Sequence, residues 1–247
     1  MSKKISLIIV SFALLVSVNL AQDGKMKTLY NSMQAELLDQ EPKLSSQQTR
    51  KLLKAALGSK WQKGNQEVGG YSDKPRISQA ISGSFTAPRA REIAYLIEGS
   101  GAIPVRVNSD AGNDSRLVIF SGNRIVFNKP LYSVGALRIS DLNGDGVDEL
   151  LVFSEGHGAG GASTTGAQLV QVKGRRLRVI KDFGAIEDNH CPGNASKNFT
   201  SSIIRYSPAK AKRFPRFRVD YYSCSCPDDS TAKAQKCQFV QNGKISQ

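Results

Sequence analysis

The sequence predicts a mainly β protein of antiparallel meander repeats, propeller-like with about three blade-like units, preceded by a small helical segment. Three observations predict it. From about Gly70 onward the chain is a succession of short β-branched and apolar runs, among them "EIAYLI", "RLVIF", "RIVFN", "ELLVF", "AQLVQV" and "FRVDYY", with Gly, Asn, Asp and Pro in the segments between them. Within that region the runs recur in the same order. Helical caps and periodicity are confined to the part before it.

The first 21 residues, "MSKKISLIIVSFALLVSVNLA", read as a secretory signal peptide. Lys3 and Lys4 precede an apolar run from Ile5 to about Leu20, and Ala21 is a small residue at the expected cut. The run is shorter than the roughly 20 apolar residues of a spanning helix and is broken by Ser11, Ser17 and Asn19; an uncleaved anchor is the alternative, because Asn19 is a poor residue three places before the cut. No later run reaches membrane length, so no span is expected after cleavage. A secreted or periplasmic location follows.

Residues 22–70 are polar and helix-friendly. In "SSQQTRKLLKAALGS", Ser45 or Ser46 can cap a helix, Leu52, Leu53 and Leu57 supply an apolar face, and Gly58 can stop it. The stretch before it, "AQDGKMKTLYNSMQAELLDQEPK", reads as a short helix or as loose chain.

Residues 71–247 are the β-repeat region. Placing Glu92 over Glu149 aligns Ser84 with Asp141, Thr86 with Asn143 and Ile93 with Leu150. Downstream, "LVIFSGNRIVF" lies along "LVQVKGRRLRV", with Gly122 over Gly174 at a hairpin turn, and "QFVQNGKIS" is a weaker third copy with its turn at Gly243. The units run from Ile77 to Lys129, Val134 to Phe183 and Ser201 to Ile245. A four-stranded antiparallel unit repeated at this spacing is the pattern of propeller blades.

One loop carries chemistry. In "DLNGDGVDELLVF" the residues at relative positions one, three, five and nine are Asp141, Asn143, Asp145 and Glu149, with Gly144 and Gly146 between them. Alternate spacing around tight Gly turns lets these oxygens converge, and Val147 at position seven can add its backbone carbonyl. Hard oxygen donors, three of them carboxylates, suit calcium, which takes six to eight oxygens in flexible geometry. An EF-hand is excluded: its twelfth position needs a bidentate Glu, and here that position is Val152, inside an apolar strand.

The stretch resembles the calcium loop of the FG-GAP or VCBS-type repeats found in integrin-like β-propellers and many exported bacterial proteins. The resemblance implies metal ligands at Asp141, Asn143, Asp145, the Val147 carbonyl and Glu149, the last replacing the more usual Asp. The aligned "SFTAPRARE" and the stretch around "SPAKAKRFP" have no row of acids. One calcium is therefore expected, not three.

The four cysteines, Cys191, Cys224, Cys226 and Cys237, all fall late in the chain, and in an exported protein an even number suggests disulfides. Cys224 and Cys226 are too close on a strand to bond each other, so each should reach Cys191 or Cys237.

The formal net charge is +13, with basic residues gathered in "KGRRLRVIK" and "KAKRFPRFR". On strands Arg176 with Arg178, and Arg216 with Arg218, would each share one face, opposite Leu177, Val179, Phe217 and Val219. That is a solvated strand face or a surface for anionic polymers such as acidic glycan.

Catalytic signals are sparse. The two histidines are His157, in "EGHGAGGAS", and His190, in "EDNHCPG". There is no Gly-x-Ser-x-Gly elbow, and "GHGAGGASTTG" lacks the Lys of a phosphate-binding loop. No catalytic or cofactor-binding residue is assigned beyond the calcium ligands.

The expectation is an exported, non-enzymatic binding or scaffolding module with one structural calcium. Its partner would be an extracellular or periplasmic ligand such as an anionic glycan or another protein, and intracellular nucleic acid is not expected. Two alternatives remain. One is a secreted hydrolase or glycan-active protein using Glu155 and His157; the other is a basic surface binder.

Overall fold

The computed structural model describes residues 26–34, 42–58, 75–99, 114–158, 161–191, 198–209, 213–226 and 237–242. The expected leader, the strand expected at "IPVRV" and the turn expected at Gly243 lie outside the described residues. Among the described residues no helix is long and apolar enough to cross a membrane.

The expected helix forms as α1, Ser46–Leu57. Ser45 is its N-cap in a capping box: the Gln48 N–H donates to Ser45 Oγ, and Gln48 Oε1 accepts from the Ser45 N–H at 2.8 Å. Gly58 follows with φ 62° and ψ −136°, a conformation that only glycine takes without strain. The segment before it departs from expectation. Lys27–Asn31 is a strand, β1, because its backbone pairs with a long-range partner, and tertiary pairing outweighs weak local preference.

The rest is antiparallel β structure. Strands β2 (Arg76–Gly83), β3 (Glu92–Glu98), β4 (Asp114–Ser121) and β5 (Arg124–Tyr132) make a four-stranded meander. Strands β6 (Gly135–Ile139), β7 (Glu149–His157), β8 (Ser163–Lys173) and β9 (Arg176–Asn189) repeat the same order. Gly122 and Gly174 sit at corresponding hairpin turns with φ 59° and 60°.

Three separate blades are not formed. The strands of the third unit, β10 (Asn198–Ser207), β11 (Arg216–Ser225) and β12 (Cys237–Asn242), continue the sheet of the second, giving the order β12-β11-β10-β9-β8-β7-β6. The physical reason is local. The far end of β9 leaves an edge open, and β10 takes it through Phe199 opposite Asn189 and Thr200 opposite Asp188. Just beyond, the Cys191–Cys226 disulfide ties the end of β9 to the end of β11, and Cys224–Cys237 joins cross-strand partners on β11 and β12. Cys224 and Cys226 thus each reach one of Cys191 and Cys237, as expected, and the structure decides which; all four cysteines are used.

The larger sheet curls into a half-barrel. Past Thr200, β10 parts from β9, and β1 lies along β10 from Ile203 to Tyr206. Side-chain parity then divides the interior into three cores. Ala94, Leu96, Leu117 and Ile119 face Ala136, Leu150, Val152, Val170 and Val172 between the two sheets. Tyr95, Ile97, Val118 and Phe120 point the other way, under Leu53 and Ala56 of α1. Leu151, Phe153, Ala167 and Leu169 line the inside of the curl with Phe183, Ile186 and Ile204.

Strand β7 therefore serves two cores at once. Glu149, Leu150, Leu151, Val152 and Phe153 are all buried, which is why its sequence is a continuous apolar run rather than an alternation. Leu151 is fully buried within the curl. Leu151→Ala should cost about 2–5 kcal/mol. A chemical denaturation curve checks this, with the midpoint falling and the slope unchanged.

Candidate metal centre

The acidic loop is the connection between β6 and β7, so both of its ends are anchored by the sheet. Asp141 organises it. Its Oδ1 accepts the N–H groups of Gly144 (2.7 Å) and Asp145 (3.1 Å), and its Oδ2 accepts that of Gly146 (2.7 Å). Asn143 Oδ1 accepts from the Asp145 N–H and Asp145 Oδ1 from the Val147 N–H, each at 2.9 Å. These are successive side-chain-to-backbone turns, the local bonding that Asp and Asn favour. Gly144 and Gly146 take φ 73° and 86°, which an L side chain rarely adopts.

The curl brings three carboxylates together. Oxygens of Asp141, Asp145 and Glu149 all lie within 4.8 Å of one another, and Glu149 is fully buried. Such a set of hard oxygens could hold a metal ion. Asn143 is beside them but turned: its Nδ2 donates to Asp145 Oδ2 at 3.1 Å. Val147 is in the loop, tied through its N–H.

Two residues outside the expected ligand set shape the site. Gln171, buried on β8, donates through Nε2 to Asp145 Oδ2 (3.0 Å) and Glu149 Oε1 (3.2 Å). Its signal in the sequence is a polar residue between Val170 and Val172 in an apolar strand. The other is Asp148, which the one-three-five-nine spacing passes over. Its carboxylate accepts the N–H groups of Ser84 (2.8 Å) and Asp141 (3.3 Å) and pairs with Arg138 Nε at 3.0 Å.

Asp148 thus joins the acidic loop to the loop aligned with it. Ser84–Arg91 connects β2 to β3 as Ser140–Asp148 connects β6 to β7. The Phe85 N–H donates to Glu92 Oε2 at 2.6 Å, as the Leu142 N–H donates to Glu149 Oε2 at 2.9 Å. Arg89 has φ 60°, the one non-glycine residue of positive φ among the described residues, and it aligns with Gly146. The backbone pattern persists where the acids do not. In the acid-free loop Glu92 is satisfied instead by the Thr86 N–H at 2.9 Å and the Thr86 hydroxyl.

Charge is unevenly borne. Burial pushes the Glu149 carboxyl up to about 7; the Leu142 N–H opposes the rise, and the charges of Asp145 and Asp141 add to it. For Asp145 burial also works upward, but the Val147 N–H, the amides of Asn143 and Gln171, and Lys173 outweigh it and hold the carboxyl below its usual range.

Two predictions follow from this geometry. An Ala at Gly144 meets nothing within 4 Å and strains only the backbone, whereas a Cβ at Gly146 would lie 2.8 Å from Pro88 Cβ. Gly144→Ala should therefore cost on the order of 1 kcal/mol and Gly146→Ala clearly more, as thermal melts of the pair would read.

The second concerns pH in the presence of chelator. The folded Glu149 holds its proton up to about pH 7, while in the unfolded chain it ionises near the ordinary value of 4.5. Between these values the unfolded state binds fewer protons, so this group's contribution to stability falls as pH rises through that window. Glu149→Gln should gain on the wild type from pH 5 to pH 8, measured as the difference in unfolding free energy. Compared with protein-family models, curated proteins and solved structures, the chain matches none.

Proposed function

We propose that the chain is an exported, non-enzymatic binding or scaffolding module whose Asp141–Glu149 loop holds one structural calcium ion, in the manner of FG-GAP or VCBS-type repeats. The observation that carries the reading is the convergence of Asp141, Asp145 and Glu149 on a loop already wound around Asp141. Asn143 and the Val147 carbonyl complete the expected ligand set. Calcium is favoured over softer metals because every side-chain ligand offered is an amide or carboxylate oxygen. Bound there, the cation would neutralise three crowded carboxylates and fasten β6 to β7. The two disulfides support an oxidising compartment outside the cytoplasm.

The hydrolase reading gains less support. The register sets His157 opposite Ser163, yet the imidazole is 55% exposed and its Nε2 is 4.0 Å from Glu155 Oε2. A solvent-facing ring without a close carboxylate is poorly placed as a general base. The basic-surface reading also gains less support: Arg176 and Arg178 stand at the start of β9, away from the Asp188–Asn189 end that pairs with β10, whereas Arg216 and Arg218 lie opposite Ser207 and Arg205 of β10. Arg218 is moreover engaged with Arg205 around the buried Asp220, at 2.8 and 2.6 Å.

Calcium at millimolar concentration should stabilise the protein on the order of 1 kcal/mol if the site binds in the range of extracellular modules, roughly 10⁻⁴ to 10⁻³ M. A thermal melt with and without chelator reads this as a shift in Tm. Asp145→Ala should abolish the shift, while Asp182→Ala, on the exposed part of β9, should keep it. A wild-type Tm indifferent to chelator would defeat the calcium reading.

A further inference from the structure

The residue whose chemistry is least explained by the fold alone is Gln171. It is only 7% exposed, on a strand whose neighbours Val170 and Val172 pack between the two sheets. A buried amide there costs desolvation that an apolar side chain would not, so its partners matter. The pairing of β7 with β8 sets Leu150 opposite Val170, and Gln171 consequently stands beside Glu149, where its Nε2 touches two of the three carboxylates.

We propose that Gln171 is an additional ligand of the cation, supplied by β8 from outside the loop, and that it exchanges roles with the ion by turning its amide. This rests on the reading of the loop as a cation site. Without an ion, the NH₂ group bridges the carboxyl groups of Asp145 and Glu149. With an ion between those carboxylates, an N–H donor aimed at the same point would be repelled, and the turned amide presents Oε1 instead. The turn is cheap, because the two ends of a carboxamide are alike in shape and its terminal torsion is broad and two-fold.

The ligand count argues in the same direction. Asn143 Oδ1 already accepts the Asp145 N–H, and its Nδ2 faces the acids, so the loop offers fewer free oxygens than its sequence implies. Calcium takes six to eight oxygens, and a neutral one from the neighbouring strand adds a ligand without adding charge. It would also bind the loop to the sheet through a second strand.

The test is a calcium titration of the chelator-stripped, full-length protein by calorimetry, for the wild type, Gln171→Leu and Gln171→Glu. Loss of one ligand oxygen should weaken Gln171→Leu about tenfold or more. Gln171→Glu, which keeps an oxygen and adds a charge, should bind at least as tightly as the wild type. In the wild type, the Gln171 side-chain NH₂ resonances, identified by their absence from Gln171→Glu, should move on saturation with calcium. A wild type that takes up no calcium would overturn the cation reading and this role with it. A wild type that binds while Gln171→Leu binds equally or more tightly would overturn only the role of Gln171, leaving it a placeholder. Should the Leu variant fail to fold, an NH₂ pair unmoved through the wild-type titration would overturn the role by itself.

Discussion

Strand β7 is buried on both faces, and the two sheets, the curl and the acidic loop all depend on that burial. Leu150 and Val152 close the space against the four-stranded sheet, while Leu151 and Phe153 fill the half-barrel. A strand in that position cannot slip by one residue without exchanging its two sets of contacts, so its register is strongly specified. The carboxylate of Glu149 is carried at the start of this strand, and its placement is as rigid as the cores beneath it. The cost appears as a fully buried acid whose proton is held up to about 7.

The two aligned loops separate what the backbone requires from what the acids add. Both keep a glutamate at the start of the following strand, and both bind it with the N–H of the residue seven positions before it. Arg89 takes positive φ although it is not glycine like the aligned Gly146, so the loop path is imposed by its anchors and not by glycine alone. In the acid-free loop, hydrogen bonds from Thr86 satisfy the glutamate. In the acidic loop three carboxylates crowd together, and amide donors from Asn143 and Gln171 stand among them. The loop path is thus a shared structural device, and the charge is an addition specific to one copy.

Much of this was legible in the sequence where the signal is local. The helix caps at Ser45 and Gly58, the hairpin turns at Gly122 and Gly174, and the convergence of Asp141, Asp145 and Glu149 all follow from short-range rules of turn and cap chemistry. What was not legible is long-range. Nothing in "KTLYN" announces that it will pair with β10, because the open edge it fills exists only after β9 and β10 diverge. The fusion of the second and third units into one sheet likewise depends on which edge is left free. The turned amide of Asn143 shows the same limit at small scale, since spacing places a residue in the loop without deciding which of its atoms faces inward.

Gln171 and Asp148 bring these threads together, because both are polar, both are buried, and neither belongs to the loop's spacing pattern. Asp148 ties the acidic loop to its acid-free counterpart through the Ser84 and Asp141 N–H groups, at aligned positions of the two copies. Gln171 ties it to β8. With the sheet register fixing Glu149 and these two contacts fixing the flanks, the loop has little freedom to spread its carboxylates apart and relieve their repulsion. A site whose carboxylates are held together by the surrounding fold is organised in advance, and the stabilisation that a bound cation would give would then be drawn from relieving their repulsion rather than from ordering a loose chain.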